Sequence, residues 1–119
     1  MIQESTPYCK AARFISEAAA GGAYTPLQAL IQDKKNKCEL SAYRFKITSG
    51  WHVVVLGEKP NDAIHGQIEA LLRKGTLITL KTRPDVLAYL WRRRERASQI
   101  APWVELHYHH REEHDREDR

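Results

Sequence analysis

Apolar residues recur along this chain in two rhythms, and the points where the rhythm changes mark its elements. Near the start, Cys9, Ala12, Ile15 and Ala19, flanked by Phe14 and Ala18, fall at helical spacing. Ser5 or Thr6 stands where a helix cap is needed, Pro7 suits a first turn, and Gly21-Gly22 would end the element. A second start signal follows at Thr25-Pro26. Leu27, Leu30 and Ile31 then recur at i, i+3 and i+4, and Lys34 and Lys35 close the segment, where cations offset the negative helix end. Two consecutive helices are the expectation, with a strand as the alternative for the short second one.

From Ala42 to Gly57 the period becomes two, which predicts a hairpin. A loop of two residues, Ser49-Gly50, would put Lys46 opposite Val53 and Arg44 opposite Val55. A three-residue loop, Thr48-Ser49-Gly50, aligns Tyr43, Phe45 and Ile47 with Val55, Val53 and Trp51, so it is the register expected. Arg44, Lys46, His52, Val54 and Leu56 are left on the second face. That half-apolar face should be partly covered by a helix.

Pro60-Asn61-Asp62 opens the next helix, Ile64, Ile68, Leu71 and Leu72 form its stripe, and Gly75 stops it. Thr76 to Leu80 reads as a short strand. Thr82 and Asp85 then form a capping-box pattern for a helix that turns Leu87, Leu90 and Trp91 inward and runs to about Ser98. Pro102 should break it, leaving a loosely alternating segment from Trp103 to Tyr108 as a final strand. The fold class is therefore α+β, in the order α-α-β-β-α-β-α with a possible last β, its antiparallel or mixed sheet packed against helices. One domain over residues 1–110 and a charged tail over 111–119 account for the 119 residues.

Composition narrows the function classes without naming one. Hydrophobic residues make up 42% and charged residues 29%, ordinary for a globular domain. No apolar run approaches the roughly 20 residues of a spanning helix, and the N-terminus lacks the basic and apolar regions of a signal peptide. Cytoplasmic location, no membrane contact and two reduced thiols, Cys9 and Cys38, are the expectations. The formal charge of +4 belongs to the first 90 residues, because the seven arginines after them face seven acids.

Three residue groups carry candidate chemistry. Aromatics near the C-terminus, Tyr89, Trp103 and Tyr108, are of the type that anchors protein interfaces, alongside the neighbouring arginines. Tyr89, Arg92 and Arg96 line one face of the expected helix. With Lys34, Lys35, Lys37, Arg44 and Lys46, those two arginines would form a phosphate-tracking surface if the fold brought them together. His107, His110 and His114 have metal-ligand spacing on a helix, and His107 and His109 share a face on a strand, so the pattern constrains little. The charge pairs Glu112 with Arg116 and Asp115 with Arg119 explain the same stretch as a solvated helix.

No nucleophile elbow, phosphate-binding loop or carboxylate pair is present, so the expected reading is non-enzymatic and without a cofactor. An interaction protein working as a homodimer, adaptor or inhibitor through Trp103, Tyr108 and Tyr89 comes first. Nucleic-acid binding through the basic groups comes second. A small metal-dependent or acid/base enzyme is third, using the C-terminal histidines or a cleft among His52, Glu58 and His65.

Overall fold

The computed structural model describes residues 7–80 and 96–105. Its elements are β1 (Pro7–Phe14), α1 (Glu17–Gln32), a 3-10 turn (Lys34–Asn36), β2 (Leu40–Ile47), β3 (Gly50–Glu58), α2 (Asp62–Leu72), β4 (Thr76–Ile78) and α3 (97–105). The four strands form one antiparallel sheet in the order β2-β3-β1-β4. The class is α+β as expected. Up to β4 the connectivity is that of a split β-α-β, or ferredoxin-like, unit.

The first expected helix is instead a strand followed by a helix. Tyr8, Ala12 and Phe14 point to one face of the sheet and Ala11 to the other, and all four are buried. β1 lies between β3 and β4 and is covered on both sides, so its small residues imitate a helical stripe without being one. Ile15, assigned by that stripe to a buried face, is fully exposed in the turn after β1.

α1 then begins at Glu17, capped by the Ser16 hydroxyl, which accepts from the Ala19 N–H at 3.1 Å. It runs straight through Gly21-Gly22 and Pro26, the residues expected to divide two helices. Interior glycine costs about 1 kcal/mol and interior proline about 3 kcal/mol. Tertiary burial offsets them: Ala20, Ala23 and Leu27 are wholly covered by the sheet and α2, and Tyr24, Leu30 and Ile31 pack beside them.

The hairpin exists, but with a two-residue turn, Thr48-Ser49, so that Ile47 pairs with Gly50, Phe45 with His52, and Tyr43 with Val54. This is one residue out of the expected register, and it reverses which β3 residues share a face with Tyr43, Phe45 and Ile47. Both faces of β3 are apolar and buried, from Val53 through Leu56, so alternation alone did not distinguish them. Gly50, the first residue of β3, has φ of 125°, a conformation that glycine adopts without a side-chain clash.

Two cores result. On one face α1 and α2 cover Tyr8, Ala12, Phe14, Leu40, Ala42, Val53 and Val55. α2 matches its sequence reading: Asn61 caps it through Oδ1 to the Ile64 N–H at 2.9 Å, and Ile64, Ile68 and Leu72 are buried. On the other face α3 lays Ile100 and Val104, both fully buried, over Tyr43, Phe45, Ile47, Val54 and Leu56. α3 continues through Pro102, and residues 103–105 are helical rather than the start of a strand. Most of the helix expected over residues 82–98 lies outside the described residues.

Candidate nucleic-acid interface

β2 is an edge strand, and α1 packs across its inner face. The 3-10 turn that follows α1 leads directly into β2, which places Lys34, Lys35 and Lys37 at the strand's start. Arg44 and Lys46 lie further along the same strand, on the face that α1 shares. From Leu40 to Lys46 this edge extends about 20 Å at the usual strand rise. All five cations are exposed. Two of the three basic groups singled out from sequence thus occupy one edge, and over residues 33–48 five cations face two acids, Asp33 and Glu39, for a local charge of +3.

The edge is held in shape. Asn36 donates from Nδ2 to the Leu30 carbonyl at 2.8 Å, and Asp33 Oδ1 accepts from the Lys35 N–H at 3.0 Å. Lys37, with φ of 49°, turns the chain into β2. Arg44 lies with its guanidinium carbon 5.3 Å from the centre of the Tyr24 ring, a cation–π contact. The Tyr24 hydroxyl in turn accepts from Gln28 Nε2, one helical turn on. Among the described residues, none of the five cations has a carboxylate within ion-pair distance.

The cations near Glu69 are engaged differently. Lys10 Nζ lies 3.4 Å from Glu69 Oε1, Arg73 Nη2 lies 3.5 Å from Oε2, and His65 Nε2 lies 3.3 Å from Oε1. Desolvation opposes ionisation of Glu69, but the hydrogen bond from Lys10, the charges of His65 and Lys10, and the bond from Arg73 together hold its carboxyl below the usual range. Tyr8 sits against the other side of His65, its hydroxyl 2.8 Å from Nδ1. Burial first, then the Glu69 and Cys9 charges, raise the Tyr8 pKa, so the phenol keeps its proton. This network consumes its own charges.

Among the described residues, the second sheet face presents no base-stacking platform. Tyr43, Phe45 and His52 stand there, the aromatic types that stack on unpaired bases, but α3 covers that face and leaves all three buried. His52 stacks on Phe45 and shares a hydrogen bond with the Gly50 carbonyl through Nδ1, 3.0 Å away. The sheet separates His52 from His65, so the cleft expected from His52, Glu58 and His65 is not assembled.

Of the remaining sequence candidates, Trp103 is half-buried against the second core, and Arg96 is exposed at the start of α3, its N–H donating to Gln99 Oε1 at 2.9 Å. Tyr89, Arg92, Tyr108, His107, His110 and His114 lie outside the described residues. Among the described residues, no group of three or more His, Cys, Asp or Glu side chains could hold a metal ion, and no helix is long and apolar enough to cross a membrane. Cys9 and Cys38 are free thiols, and burial pushes Cys9 up to about 12. A shallow groove of about 540 Å³ runs between α1 and α2, floored by Pro26, Ala29, Leu30, Ala70 and Leu71.

Sequence reasoning missed Tyr24, Gln28 and Gly21. Their spacing at i, i+3 and i+7 is visible only once residues 17–32 are read as one helix. No known protein family, curated protein or solved structure matches this chain.

Proposed function

We propose that this protein is a nucleic-acid-binding module that holds the phosphate backbone along the β2 and α1 edge. The observation that carries the reading is the assembly of Lys34, Lys35, Lys37, Arg44 and Lys46 on one edge, exposed and without a carboxylate partner among the described residues. A row of cations of this kind neutralises phosphates and releases their counterions, which gives affinity without sequence readout. Because the aromatics of the second face are buried, recognition is of the backbone rather than of bases. The fold itself supports many activities and adds no weight.

The test is fluorescence anisotropy of labelled single-stranded and duplex oligonucleotides at low salt. The reading expects binding that weakens steeply as salt rises, and weak competition from polyglutamate of matched charge. Undetectable binding contradicts it. Equal competition by polyglutamate would assign the edge to an acidic protein instead.

A second reading keeps the protein partner that the sequence suggested. The groove between α1 and α2 supports it, with half-buried Leu30 and Leu71 at its floor. It expects a concentration-dependent mass that Leu30→Asp abolishes, whereas a mass independent of concentration removes the homodimer.

A further inference from the structure

We propose that Arg44 is the phosphate anchor of this edge, gripping a backbone phosphate through its forked donors from a seat built by Gly21, Tyr24 and Gln28. The inference rests on the nucleic-acid reading and names the residue that dominates it.

The seat has three parts. Tyr24 supplies a ring face beneath the guanidinium, with 5.3 Å between the guanidinium carbon and the ring centre. Gln28 holds the Tyr24 hydroxyl from the next turn of α1. Gly21 leaves the space: a Cβ there would stand 3.1 Å from Arg44 Nη1, tighter than an ordinary contact. An exposed arginine ordinarily samples many rotamers and loses that freedom on binding. Arg44 is stacked across α1 before any ligand arrives, so less freedom remains to be lost.

Among the described residues, its donors also remain uncommitted to acids. Asp33 and Glu39 flank the lysines at the start of β2, and the Glu58 N–H bonds the Glu39 carbonyl at 2.9 Å, which brings a third acid's backbone to that end. Near Arg44, Glu17 lies on the same face of α1 one turn before Gly21, and the two side chains form no ion pair. Lys46 lies two residues along β2 on the same face, placed to meet the same strand of phosphates. The lysines of the turn are compact point charges on flexible stems and supply attraction without bidentate geometry.

The experiment compares oligonucleotide affinity, at one low salt concentration, for the full chain and its Arg44→Lys, Arg44→Ala, Lys35→Ala and Gly21→Ala variants. Arg44→Lys keeps the charge and loses the fork and the stack. It should weaken binding by about tenfold, nearly as much as Arg44→Ala and more than Lys35→Ala, which removes a whole charge. Gly21→Ala should raise thermal stability, because alanine favours the helix, while lowering affinity by displacing the guanidinium. That opposite sign separates the seat from folding. If the wild type binds and Arg44→Lys loses no more than Lys35→Ala, the anchor is overturned while the nucleic-acid reading stands. If the wild type shows no salt-sensitive binding, the reading fails and the anchor with it.

Discussion

Phe45 on β2 stands directly opposite His52 on β3, and their rings stack with centroids 6.0 Å apart and planes 11° from parallel. His52 has no exposed surface. Desolvation lowers its pKa, the bond to the Gly50 carbonyl pulls the other way, and the charge of Arg13 lowers it further, so the ring folds in its neutral form. The unfolded chain protonates this histidine near its ordinary value of about 6.5, whereas the folded chain resists, so the unfolded state binds more protons below that value. Stability from this group is complete above about pH 6.5 and is lost as pH falls toward the lowered folded value. Urea unfolding should show a drop in stability across that window in the wild type and a smaller one in His52→Leu. Equal drops in both proteins would show that His52 is not held neutral.

Gly75 meets β1 more closely than a helix stop requires. A Cβ there would fall 2.8 Å from the Phe14 ring and closer still to the Arg13 carbonyl, atoms that cannot swing away. Gly75→Ala should therefore destabilise by about 1–3 kcal/mol, the usual cost of overpacking. A thermal midpoint equal to the wild type's would mean that β4 docks less tightly than this.

The parts legible in the sequence are those where one local signal decides the structure. α2 has a cap in Asn61 and a single apolar stripe, and it folds as read. The hairpin was legible as a hairpin, but its register was not, because Val53 to Leu56 are apolar toward both faces. β1 was illegible because small residues such as Ala11 and Ala12, packed between two covered faces, carry no strand signature. In α1, two glycines and a proline give local stop signals that packing overrides. The cations were individually visible. Their meeting on one edge depends on the path from α1 through the 3-10 turn into β2, which is tertiary information.

α3 belongs to the domain and is no loose appendage. Ile100 and Val104 are fully buried in the second core, and the Thr48 hydroxyl donates to Glu105 at 2.6 Å, tying the end of α3 to the hairpin turn. Ile100→Ala should cost about 2–5 kcal/mol, as for other buried large-to-small changes. A loss below about 0.5 kcal/mol, the scale of ordinary surface changes, would show that α3 does not cover the sheet in solution.

Glu69 gathers Lys10, His65 and Arg73, and its ionised form is favoured. Its contribution is present above the ordinary carboxylate range and disappears as pH falls through the lowered folded value. Glu69→Gln should thus be less stable than the wild type at neutral pH, with the two unfolding curves converging in acid. A difference that stays constant across that range would assign the effect to packing rather than charge.

The most direct measurement of the central claim is the salt dependence of oligonucleotide binding in the wild type and in a variant with Lys34, Lys35 and Lys37 changed to Ala. Each phosphate contact contributes a slope of about −0.7 for single strands and −0.9 for duplexes in a plot of log affinity against log salt. The basic edge predicts a steep slope in the wild type and one shallower by about two to three units in the triple variant. Equal slopes in the two proteins, or no binding by either, would contradict it.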